Sequence, residues 1–115
     1  MTLVEGCYRF TKELPKDETY GLSSQIRRAA VSVPANIAEG YGRDSSGSYV
    51  SFLKIAQGSL KELETHLLLA GQVQVAEPST VEPIFARCES LGRMLRRLIR
   101  SLQEKSGGPD EEVAS

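Results

Sequence analysis

Leu3, Cys7, Phe10 and Leu14 recur at alternating steps of four and three, the apolar seam of a helix that packs on other helices. The pattern predicts a first helix over residues 2–13, stopped by Pro15. A second seam runs through Leu22, Ile26, Ala29 and Val33 and resumes with Ile37 and Tyr41, ending at Gly40 or Gly42. Asp17 is its expected cap. Pro34 removes one backbone hydrogen bond and presses on the Ala30 carbonyl, so a kink is expected between those residues. Ala29, Ala30, Ser32, Ala35, Ala38 and Gly40 leave room for a neighbouring helix to come close.

The third seam is unbroken through Tyr49, Leu53, Ala56, Leu60, Leu63, Leu67 and Ala70, after a turn at residues 44–47 rich in capping side chains. Phe52, Ile55, Leu68 and Leu69 widen its stripe, as suits a helix with more than one neighbour, and Gly71 with residues 75–78 ends it. A fourth helix is predicted with Thr80 as cap and Pro83 at the third helical position. Its seam is Val81, Ile84, Cys88, Leu91, Leu95, Leu98 and Leu102, flanked by Phe85 and Ile99, and it ends near Lys105.

With no strand period, the expected fold is all-α: an antiparallel up-down-up-down four-helix bundle over residues 1–105, with a short first helix and a proline-kinked second. A first helix of about 18 Å beside helices of roughly 35 to 40 Å leaves half a groove without its fourth wall. Such a groove calls for another subunit or for chain upstream of Met1, a shortened N-terminus being the preferred explanation.

Charge alters this picture only locally. Lys and Arg number 14 against 15 Asp and Glu, without the basic excess of a dedicated nucleic-acid binder. Three of the acids, Asp110, Glu111 and Glu112, fall in residues 106–115, expected to be a disordered acidic tail, and the body therefore carries about two positive charges. Cys7 and Cys88 make no metal-ligand or disulfide spacing and are expected as free thiols. No leader or membrane-spanning run is evident, so a cytoplasmic protein is expected.

Catalytic chemistry finds little footing. His66, the single histidine, follows Glu62 by four residues, whereas a di-iron bundle needs paired Glu-x-x-His motifs and further acids, so no metal, cofactor or catalytic residue is expected. No serine lies in a GxSxG turn, no small-molecule substrate is implied, and Gly40-Tyr41-Gly42 reads as a helix C-cap, there being no strand before it to make a phosphate loop. The densest charge feature is Arg93, Arg96, Arg97 and Arg100, spaced to share one face of the fourth helix. Such a face neutralises RNA or DNA phosphates. It fits still better cations complementing a helix C-terminus, with Glu89 pairing Arg93 and Glu104 pairing Arg100. On the second helix, Gln25, Arg28, Ser32, Asn36, Glu39 and Arg43 form a polar stripe that is either solvated surface or a hydrogen-bonded subunit contact or pore lining.

Residues 20–43, YGLSSQIRRAAVSVPANIAEGYGR, closely resemble the signature of the small bacterial four-helix bundle proteins found in intervening sequences of 23S ribosomal RNA genes. Residues 49–65 (YVSFLKIAQGSLKELET) and 91–102 (LGRMLRRLIRSL) look like that family's third and fourth helices. The resemblance implies a ring-forming bundle, typically a homopentamer, without enzyme activity. It also implies kinship with the accessory variability proteins of diversity-generating retroelements, which engage nucleic acid and a reverse transcriptase through basic surface. Carried onto this chain, it makes Arg27, Arg28 and Arg43, with the fourth-helix arginines, candidates for contact with RNA, DNA or a nucleic-acid-processing protein, while the polar stripe itself offers Gln25, Ser32, Asn36 and Glu39 as candidates for subunit contact. This chain departs from the family in its short first helix and from the retroelement proteins in its modest charge. The rival reading is an interaction module with no affinity for nucleic acid.

Overall fold

The computed structural model describes residues 2–16 and 21–105. These form four helices and no strand: α1 (Leu3–Lys12), α2 (Leu22–Tyr41), α3 (Ser46–Gln72) and α4 (Pro78–Lys105). The expected acidic tail and the Asp17 cap lie outside the described residues.

Local chemistry sets each start. Thr2 accepts from the Glu5 amide at 3.1 Å while the Glu5 carboxylate accepts from the Thr2 amide at 2.9 Å, a reciprocal capping box. These bonds, the backbone one first, hold the Glu5 carboxyl below its ordinary pKa. α2 begins at Leu22, later than the sequence suggests, because Gly21 at φ 64° is left-handed and cannot lie inside a right-handed helix. The Ser45 hydroxyl caps α3 by accepting from the Ser48 amide at 3.1 Å.

Two expectations about chain ends are corrected. Gly71 lies inside α3; the terminator is Gln74 at φ 62°, where the Val75 amide bonds the Ala70 carbonyl and the Gln74 amide bonds the Gly71 carbonyl, a Schellman motif without glycine. α4 starts at Pro78, ahead of the expected Thr80 cap, since proline at the first helical position loses no intrahelical bond. Pro83 thus falls in the sixth position, where its missing amide leaves the Ser79 carbonyl without a helical donor.

The helices pack as a ring in chain order, α2 and α4 each touching both α1 and α3. Contacts between α2 and α3 step backwards, Gly40 beside Tyr49 and Phe52, Ser32 beside Ser59, Arg28 beside Glu62, so these two run antiparallel. The core follows the seams: Cys7 and Phe10; Leu22, Ile26 and Val33; Leu53, Leu60, Leu63 and Leu67; Val81, Cys88 and Leu95. Tyr41 departs from expectation at 77% exposed. After Ile37 the inward face advances by three residues to Gly40, turning Tyr41 aside to rest edge-on against Tyr49. Ile55, Leu68 and Leu69, expected to broaden the packed face of α3, are also exposed.

α1 is anchored by one arginine. Arg27 donates to the Thr11 hydroxyl at 2.7 Å and lays its guanidinium 4.9 Å from the centre of the Tyr8 ring. At ten residues α1 is far shorter than α4 at 28, and along α4 Leu91, Leu98 and Leu102 remain half-buried while Met94 is 58% exposed.

Candidate functional site

Buried Gly92, Leu95 and Ile99 fix the rotation of α4, and that rotation turns Arg93, Arg96, Arg97 and Arg100 to solvent. None of the four makes an ion pair among the described residues; in particular the anticipated bonds to Glu89 and Glu104 are not formed. Nor do they sit where a helix dipole acts, since only Lys105 occupies the last turn and the effect fades beyond it. The two structural explanations for the stripe therefore lose their footing.

The face is divided by the packing of α4 on α3. Arg93 and Arg96 line a cleft of 450 Å³ opposite Lys54 and Lys61, with Gly58 and Gly92 between them. Glu64 and Glu89 also line it, so its charged walls carry two net positives. Glu64 is 7% exposed and pairs with Lys61 at 3.1 Å. Arg100 and Arg96 line a neighbouring hollow with Gln57, Ile99, Gln103 and the acid Glu104, and Arg97 lines neither. Sequence reasoning singled out the arginines and missed the lysines. Lys54 and Lys61 are two helical turns apart with Gly58 between them, a spacing that marks one face of α3 but not what that face opposes.

The arginines of α2 are already occupied. Arg27 is committed to Thr11 and Tyr8. Arg28 pairs with Glu62 at 3.0 Å and with Gln25, while Arg43 pairs with Glu39 and sits 4.8 Å from the Phe52 ring centre. The polar stripe likewise works within the protomer: Ser32 bonds Ser59 across the α2–α3 seam at 2.7 Å, and Asn36 donates to the Ser32 carbonyl and hydroxyl. Both anticipated groups on α2 thus have partners inside the chain.

Among the described residues no cluster of acids, cysteines and histidines could hold a metal ion. His66 Nε2 stands 3.8 Å from a Glu62 oxygen that Arg28 already holds, and His66 Nδ1 is buried without a hydrogen-bond partner. Burial pushes the Cys7 thiol up to about 11 and the Cys88 thiol up to about 12, the latter raised further by Cys7, so both are protonated and poor nucleophiles at neutral pH. Among the described residues no helix is long and apolar enough to cross a membrane.

The sequence profile of a family described as 23S rRNA-intervening sequence protein matches residues 1–97. In structure the chain is similar to a protein of unknown function from the S23 ribosomal protein family of Bacteroides thetaiotaomicron. The TM-score is 0.72 at 22% identity, over 86% of this chain and 99% of that one, a likeness of fold. No curated protein matches the chain.

Proposed function

The chain belongs to the 23S rRNA-intervening sequence protein family, and on that footing we propose that it is a non-enzymatic, self-associating adaptor that binds nucleic acid through the arginine face of α4. One observation carries the reading: four exposed arginines on one helix face lack any acidic partner among the described residues. Four guanidinium groups held together without ion pairs of their own attract a polyanion, which releases its counterions on binding. A homopentamer, as the family resemblance implies, would repeat the face around a ring and raise its avidity. No cofactor is invoked, and two buried free thiols suit the cytoplasm.

The test is a binding series against a structured RNA at increasing salt. Affinity is expected to fall with a log–log slope of roughly −3, given four neutralised phosphates. Arg96→Glu combined with Arg97→Glu should abolish binding, and a response indifferent to salt would remove the proposal. A second reading rests on the exposed apolar side chains Ile55, Leu68, Leu69 and Met94, which suit a protein-interaction module without nucleic-acid affinity. Partners that stay captured after nuclease treatment, with no binding to purified RNA, would favour it.

A further inference from the structure

The α3–α4 cleft has features that a merely cationic surface does not require. Lys54 and Lys61 project from α3 and Arg93 and Arg96 from α4, so the positive groups converge from two helices on one concavity. Gly92 is buried on one side, and the Arg96 guanidinium folds back to within 3.6 Å of where a Gly92 side chain would begin. Gly58 lies on the other side, in mid-helix, where a Cβ would meet nothing within 4 Å. Packing within the protomer therefore does not explain glycine at 58, although glycine weakens a helix interior. The missing side chains at 58 and 92 open both walls beside Gln57, Leu60 and Cys88, so that a tetrahedral oxyanion can come close to the cationic tips. Lys61 is balanced by Glu64, which leaves Lys54, Arg93 and Arg96 facing Glu89 alone.

We propose that this cleft seats a single phosphate of a nucleic-acid backbone, with Arg93 and Arg96 as the forked donors, Lys54 as a point charge, and Gly58 and Gly92 giving access. The assignment deepens the nucleic-acid reading above and rests on it. Arg97 and Arg100, outside the cleft, add diffuse attraction without defining the seat.

The discriminating variant fills space and leaves charge untouched. Gly58→Leu puts a side chain into the open cleft, and its thermal midpoint should equal or exceed that of the wild type because leucine is the better helix former. RNA affinity of the full chain, read by fluorescence anisotropy at fixed salt, should fall roughly tenfold for Gly58→Leu, with the salt slope reduced by about one. Arg93→Gln with Arg96→Gln should fall further, and Arg97→Gln, one charge lost outside the cleft, should fall least. If Gly58→Leu binds like the wild type while the arginine variants weaken, the seat is refuted and the diffuse cationic face stands. Inorganic phosphate, titrated calorimetrically, separates the remaining case. If RNA does not bind but phosphate does, and Gly58→Leu removes that binding, the seat stands and the nucleic-acid reading falls. If neither probe binds, both are overturned.

Discussion

Gly40 is the position where a single added carbon matters most. A Cβ there would lie 2.8 Å from the Phe52 Cβ and 2.9 Å from the Tyr49 ring, so α2 and α3 meet at a distance only glycine permits. Gly40→Ala should therefore destabilise by about 1–3 kcal/mol, against the gain alanine normally brings to a helix, as read from a urea unfolding midpoint. An unchanged or raised midpoint would mean that the helix crossing is looser than described. The two thiols allow a test of a different kind. Burial raises both above the ordinary 9.0, to about 11 for Cys7 and about 12 for Cys88. Because the folded pKa lies above the unfolded one, the stabilisation is complete below the ordinary value and is lost as pH rises through the folded values. In reducing buffer, unfolding free energy should start to fall above roughly pH 9, by about 1.4 kcal/mol per pH unit for each cysteine. Cys88→Ala should roughly halve the slope that belongs to the thiols, and an identical slope in variant and wild type would show that they do not titrate differently on folding.

The ends of the helices depend on details finer than their apolar period. Gln74 holds a left-handed conformation that costs most side chains about 1–2 kcal/mol, and it does so to complete the Schellman closure of α3. Gln74→Gly should accordingly raise stability by up to about 1 kcal/mol, the relief of strain exceeding the added freedom of the unfolded chain. A lower thermal midpoint would locate an unsuspected role in the glutamine side chain. The same closure explains what could and could not be read in advance. Seams such as Leu53, Ala56, Leu60, Leu63 and Leu67 were legible because burial imposes their period directly. Boundaries were not, since Gly21, Gln74 and Pro78 set them through backbone angles that several flanking residues could have supplied. The site divides the same way. Four arginines on one helix face follow from spacing within α4 alone, whereas the cleft exists only once α4 is rotated against Lys54, Gly58 and Lys61 of α3. The packing of α2 on α3 was equally hidden, which is why Arg28 and Ser32 looked available in the sequence yet are bonded to Glu62 and Ser59.

At the scale of the molecule, shape and exposed surface bear together on assembly. The radius of gyration is 16.2 Å and the long dimension 50 Å, against about 13 Å expected of a compact domain near this length. Three long helices and one short one produce that rod, and the long ones keep apolar side chains that no part of the described protomer covers. Met94, 58% exposed, lies one turn from half-buried Leu91 and Leu98 on α4. A continuous strip of this kind on an elongated protein is what a second copy buries when subunits associate, because the apolar area removed from water is the main drive for association. Light scattering of the purified chain should therefore return several times the protomer mass across the micromolar range. Met94→Gln should shift the distribution toward the protomer while leaving helical circular dichroism intact, since residue 94 takes no part in the core. RNA affinity should fall with it even though all four arginines of α4 remain, because one face binds without the avidity of several. Should the wild type scatter as a protomer at every concentration and still bind RNA with a steep salt dependence, assembly would be dispensable and the arginine face would act alone.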